Sequence, residues 1–188
     1  VFAQTEIDKD RLKELGAKNI IVSGNIKGAV EYKITKHYQK PKEKLIVAGS
    51  THKGEEELIL NSFKNIKNSK LLIVPRHPER FKEVYKIIEK FAIKNNFSYG
   101  KIENGFKNDI ILVDKIGELL NLYSIADKVV LGGSFIDNVG GHNPLEVAYF
   151  KKPLISGKYI FNQKALFEMV ENSFIIENNE LSKYLNTK

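Results

Sequence analysis

The chain is 188 residues long, holds no cysteine and carries a formal net charge of +7. That length admits one domain, or at most two very small ones, and suffices to bury a core without covalent staples. The missing thiols exclude a disulfide framework, a thiolate metal site and a cysteine nucleophile. No apolar run approaches the roughly 20 residues that cross a bilayer, and the first residues read as strand and helix rather than as a signal peptide. Because the chain opens on Val1 without a methionine, it is expected to be a piece of a longer protein.

The excess positive charge is almost all lysine; the arginines are Arg11, Arg76 and Arg80 alone. No basic motif interleaved with aromatics occurs, so a nucleic-acid partner is not expected. Weak attraction to an anionic membrane surface stays open. So does the plain reading, a Lys, Asn and Ile-rich composition of the kind an AT-rich genome encodes.

In chain order, Val1-Phe2-Ala3 is a short apolar start. Thr5 and Asp8 form a capping-box variant for a helix from Glu6 to about Leu15, which Gly16 stops. Asn19 to Val22 reads as a strand, and residues 28–43 as a polar, lysine-rich connector. A strict alternation follows. Strands are predicted at Lys44–Ala48, Lys70–Val74, Asp109–Val113, Lys128–Leu131, Pro153–Ser156 and Phe174–Ile176. Between and after them, helices are predicted at Glu55–Ile66, Pro78–Lys94, Gly117–Ala126, Pro144–Phe150, Asn162–Asn172 and from Asn179. The strands are continuous apolar runs, as strands covered on both faces are. Alternation with amphipathic helices predicts an α/β fold with a doubly wound parallel sheet. In such sheets ligands lie beyond the carboxyl ends of the strands, where strand order reverses, and the glycines and polar residues of this chain concentrate in those loops.

Three loops carry candidate chemistry. Ala48-Gly49-Ser50-Thr51-His52-Lys53-Gly54-Glu55-Glu56 could contact phosphate or sugar, or Ser50 and Thr51 could simply cap the helix that follows. Pro75-Arg76-His77-Pro78-Glu79-Arg80 concentrates two of the three arginines, whose planar fork fits phosphate or carboxylate as lysine does not; the alternative is a helix start with surface arginines. Gly132-Gly133-Ser134 and then Gly140-Gly141-His142-Asn143-Pro144-Leu145-Glu146 follow an apolar strand. Backbone N–H groups and a helix start there suit an anion, and Glu146 could reach a sugar hydroxyl, which together suggest a nucleotide or nucleotide sugar. A glycine-rich turn before a Pro144 helix start is the plain alternative. His52, His77 and His142 fall in these three loops, but no spacing of the HExxH kind supports zinc. A hydrolase nucleophile elbow is missing, because Ser134 lacks its second flanking glycine.

Taken together, these motifs resemble the Kdo (3-deoxy-D-manno-octulosonic acid) transferase family. The likeness runs from Ala3-Gln4 through Gly24-Asn25-Ile26-Lys27, across the three loops above, to Lys152-Pro153 and Phe161-Asn162. Residues 28–43 and 95–109 carry little of it. The resemblance implies a GT-B glycosyltransferase of two Rossmann-like domains, of which residues 1–188 would be the single C-terminal, donor-binding one, the N-terminal acceptor domain being absent. It further implies an inverting enzyme that needs no metal, uses CMP-Kdo as donor and adds Kdo to a lipid A precursor in lipopolysaccharide synthesis. Such an enzyme works at the cytoplasmic face of the inner membrane, and its acidic catalytic base lies in the missing half.

On that resemblance the CMP phosphate is expected at Gly141–Asn143, with Gly133, Ser134, Gly140 and His142 around it and a ribose hydroxyl on Glu146. Arg76 would stabilise the charge of the leaving CMP or bind the Kdo carboxylate. His77 would orient Arg76 or donate a proton, and Arg80 would join the anion contacts. Ser50, Thr51 and His52 would cap the cavity, with Asn25 and Lys27 at its edge. The segment Phe135–Val139, where related sequences vary, could shift the backbone amides. A UDP-sugar transferase or epimerase half, and a non-catalytic binding module, are the competing readings of the same loops.

Overall fold

The computed structural model describes residues 1–24 and 30–187, and the chain forms two compact units, Val1–Tyr32 and Lys33–Lys188.

In the first unit β1 (Phe2–Ala3) pairs in parallel with β2 (Ile21–Val22), and α1 (Glu6–Glu14) connects them. Thr5 caps the helix, but the box is incomplete: its hydroxyl accepts from the Asp8 N–H at 3.1 Å, and the Asp8 carboxylate accepts back from that same hydroxyl at 2.8 Å rather than from the Thr5 N–H. Gly16 ends the helix with φ of 86°, a left-handed conformation natural only to glycine.

The second unit is a seven-stranded parallel sheet. In chain order its strands are β3 (Lys44–Thr51), β4 (Ser69–Pro75), β5 (Tyr99–Lys101), β6 (Ile110–Leu112), β7 (Lys128–Leu131), β8 (Leu154–Gly157) and β9 (Ser173–Ile176). Across the sheet they run β5-β6-β4-β3-β7-β8-β9. Helices α2 (Glu55–Phe63), α3 (Phe81–Asn95), α4 (Leu119–Ile125), α5 (Leu145–Tyr149), α6 (Lys164–Phe167) and α7 (Leu181–Asn186) cover it. The pleat sends alternate residues of one strand to opposite faces. Ile46 and Ala48 of β3 meet α2, α3 and α7 through Ile59, Phe63, Ile88 and Leu185, whereas Leu45 and Val47 meet α4, α5 and α6 through Leu122, Val147 and Phe167. Strand order reverses between β3 and β7, whose register pairs Gly49 with Leu131. The crevice at that switch point lies where the sequence concentrates its glycines.

Several details differ from the sequence reading. Strand β5 was not expected. It has three residues and lies at the sheet edge, pinned to β6 by Ser98, whose hydroxyl donates to Asp109 at 2.6 Å. Helix α4 begins at Leu119 rather than Gly117, and α6 runs for four residues rather than eleven. Residues 30–43 form a connector without regular structure, as expected, and it is tied down: the Asn121 side-chain oxygen accepts from the Thr35 and Lys36 N–H groups at 2.9 and 3.2 Å.

Candidate functional site

The loops after β3, β4 and β7 converge above the switch point. Strand β3 ends in a bulge, with the register shifting between Gly49 and Thr51 and Ser50 held at φ of 55°. A non-glycine residue in that region costs about 1–3 kcal/mol and persists only where its surroundings enforce it. Here the loop after β7 presses against it. A Cβ added at Gly132 would lie 2.5 Å from the Ser50 carbonyl oxygen and 2.8 Å from Glu55 Oε2, so the two loops meet backbone to backbone.

The organiser of this junction is Glu55, at the start of α2 and fully buried. Its Oε2 accepts from the N–H groups of His52 at 2.9 Å and Gly133 at 2.8 Å; its Oε1 accepts from Ser134 at 3.1 Å and Phe135 at 3.0 Å. Burial pushes this carboxyl up, and the four N–H groups hold it back. The nest of amides after β7 is thus filled by a carboxylate of the protein itself. Gly133 and Ser134, expected around a phosphate, are thus engaged by the protein itself. The Gly133 amide is occupied, and the buried Ser134 hydroxyl donates to the Leu131 carbonyl at 2.7 Å while accepting from the Gly157 N–H at 2.8 Å. Gly141 also turns inward, its N–H donating to the Gly133 carbonyl at 2.7 Å, and Gly140 is buried with its carbonyl accepting from the Asn162 N–H. Helix α5 has only five residues, and its first free N–H, that of Leu145, is capped by the Asn143 side chain at 3.1 Å.

A second buried carboxylate absorbs two more of the expected site residues. Arg80 grips Glu56 with both terminal nitrogens, at 2.7 and 3.2 Å, and reaches Glu83 at 3.4 Å through Nε. The buried Thr51 hydroxyl donates to the same Glu56 at 2.9 Å. Arg80 and Thr51 therefore brace the loops through Glu56. Asn25 and Lys27 lie outside the described residues.

What faces outward is a different set. His52 and His142 lie nearly parallel, 15° apart with centroids separated by 5.0 Å, and their Nε2 atoms are 2.8 Å apart. His77 stands edge-on to His52 at 5.3 Å, and its Nδ1 is 3.7 Å from Glu79. Arg76 is exposed, its charge felt at His52, His142 and Glu146. With Ser50 it lines a small cavity of about 70 Å³ against Pro78 and the 115–119 loop. Burial, then the charges of His52 and Arg76, drive His142 down to about 4; burial and the charges of His77, Arg80 and Arg76 lower His52. Glu146 is half-buried. Burial pushes its carboxyl up, against Arg76 and a hydrogen bond from Asn143.

The three histidines do come together, but as a hydrogen-bonded pair with a third ring beside it. A tetrahedral zinc with Zn–N bonds of about 2.0–2.1 Å holds two nitrogens about 3.3 Å apart, wider than this pair. Among the described residues no group of three or more His, Cys, Asp or Glu is arranged to hold a metal.

Sequence reasoning missed Glu55 and Glu56 as structural anchors, because two acids in a first helical turn read as ordinary dipole partners. It also missed Tyr123 on α4. Its buried hydroxyl finds no hydrogen-bond partner and sits where a Gly49 Cβ would lie 2.0 Å away; burial, with the nearby Glu146 charge, pushes it far up.

The seven-stranded, doubly wound parallel sheet is shared with solved GT-B glycosyltransferase domains. The solved C-terminal CMP-Kdo binding domain of WaaA from Acinetobacter baumannii superimposes with a TM-score of 0.67 at 27% identity, over 76% of this chain and 78% of that one. The 3-deoxy-D-manno-octulosonic acid transferase of Aquifex aeolicus is 38% identical over 175 residues, which is 91% of this chain and 47% of that protein. A bifunctional glycosyltransferase/methyltransferase of Fusobacterium nucleatum is 40% identical over 178 residues, 86% of this chain and 27% of that protein. No family model matches. The chain is a homologue of the Kdo transferases over most of its length, and it spans about half or less of the length of these curated relatives.

Proposed function

We propose that this chain is the donor-binding half of an inverting glycosyltransferase that takes CMP-Kdo and passes Kdo to a lipid A precursor. The observation that carries the reading is the convergence of Arg76, His52, His142 and Glu146 above the switch point, in a homologue of Kdo transferases. The amides of Gly133, Ser134 and Gly141 are engaged internally, so the donor's negative charge falls to side chains. Arg76 and the His52–His142 pair bind the phosphate or the sugar carboxylate and stabilise the charge that grows on CMP as it leaves. Glu146, steadied by Asn143, accepts from a ribose hydroxyl. No metal is required in this scheme, because cationic side chains supply the charge. The acceptor, the acidic base that activates it and the attachment to the cytoplasmic face of the inner membrane belong to the rest of the enzyme.

Calorimetric titration of the 188-residue chain with CMP and with UDP tests the reading. CMP is expected to bind in preference, and Arg76→Ala or Glu146→Ala to weaken it by about 1.5–3 kcal/mol each, the worth of a charge-assisted contact. Equal affinity for both nucleotides, or indifference to both substitutions, refutes the assignment. Preference for UDP favours another GT-B member.

A further inference from the structure

We propose that the His52–His142 pair couples anion binding at this site to the uptake of one proton, so that an acidic nucleotide binds more tightly as the pH falls. This rests on the donor-site reading above.

A 2.8 Å contact between two imidazole Nε2 atoms is a hydrogen bond, and it needs one proton in it. One ring donates and the other presents its lone pair, so the two rings cannot both be cations while the bond exists. The pair is therefore neutral, or carries a single positive charge. The groups around it decide which. From the loop after β4 come Arg76 and His77, the latter shadowed by Glu79. Arg80 is neutralised by Glu56 and Glu83. From α2 comes Glu55, whose charge is held by four backbone N–H groups. From α5 comes Glu146, itself under Arg76. Without a ligand, partial burial and the Arg76 charge oppose the extra proton, and both histidines titrate below their ordinary range.

A bound anion reverses that field. A proton from solvent then enters a ring nitrogen outside the shared bond, giving the pair one positive charge against the anion. No bond to the ligand forms or breaks. Linkage makes the effect reciprocal: a ligand that raises proton affinity is itself bound more tightly at lower pH, by at most tenfold per pH unit for one proton.

The probe is the methyl phosphodiester of cytidine 5′-monophosphate, whose phosphate charge does not change across the histidine range. It is titrated into the 188-residue chain at about pH 6 and about pH 8.5, each in two buffers of different ionisation enthalpy, the interval bracketing histidine titration. The expected result is uptake of roughly half to one proton at the lower pH and close to none at the higher. His52→Asn and His142→Asn should each abolish the uptake while Arg76 still supports weaker binding, and His77→Asn should retain it. Binding with a buffer-independent enthalpy at the lower pH overturns the inference and leaves the donor site standing. So does uptake that survives both pair substitutions. No binding at either pH overturns the donor-site reading and the inference with it.

Discussion

Glu55→Gln isolates the device on which the site's geometry rests. The wild-type carboxylate accepts two N–H groups on each oxygen, at 2.8 to 3.1 Å. Glutamine has the same shape but keeps only one acceptor oxygen. Its amide nitrogen must face two backbone donors, whichever way the group is turned, and both are then left without an acceptor in a fully buried position. Each orphaned buried donor costs about 1–3 kcal/mol, so the substitution should remove about 2–6 kcal/mol, a large part of the roughly 5–15 kcal/mol that holds a domain folded. Urea unfolding followed by circular dichroism measures it, with an unchanged slope showing that the midpoint reports stability rather than a change in the denatured state. Glu57→Gln, two residues along the same helix and exposed, is the control and should stay within about 0.5 kcal/mol of wild type. If Glu55→Gln matches that control, the amide nest does not depend on the carboxylate and the reasoning fails.

Two further outcomes follow from buried polar groups elsewhere. Tyr123→Phe deletes a buried hydroxyl that has no partner, so stability should be equal to wild type or about 1–2 kcal/mol higher by urea midpoint; a loss of more than about 1 kcal/mol would mean the hydroxyl has an acceptor. Lys128 is held down to about 8 by burial and by the Lys44 charge, so above that pH the unfolded chain binds the proton more readily than the folded one. Its contribution to stability should rise with pH from about 8 towards its ordinary value near 10.4, and denaturation of wild type against Lys128→Met at either end of that window should show the difference growing; a flat difference refutes it.

The sheet was legible because its strands are buried on both faces. Leu71-Leu72-Ile73-Val74 and Val129-Val130-Leu131 need no alternation to be recognised when helices cover both sides. Strand β5 was not, since Tyr99-Gly100-Lys101 has neither apolar density nor length, and its place is set by pairing with β6 alone. The shortening of α6 to Lys164–Phe167 was equally unmarked, since nothing local in residues 162–172 sets those bounds. At the site, the sequence placed the right loops in one crevice. It could not assign inward and outward roles within them, because Arg76 and Arg80, or His142 and Ser134, differ in nothing local. Whether a side chain meets Glu56 or open space is decided by residues more than twenty positions away.

That division of roles has a physical logic. A loop cluster carrying Arg76, Arg80, His52, His77 and His142 would repel itself if every group faced the same cavity. The protein avoids this by drawing two carboxylates inward from the first turn of α2, using Glu56 to neutralise Arg80 and Glu55 to gather the amides that would otherwise compete for an anion. The histidines answer the remaining repulsion by sharing a proton. Arg76 is then left as an exposed guanidinium bearing on a weakly basic histidine pair and on Glu146. With Glu55 filling the amide nest, the junction between the loops after β3 and β7 is held by the protein's own groups and needs no ligand to close it.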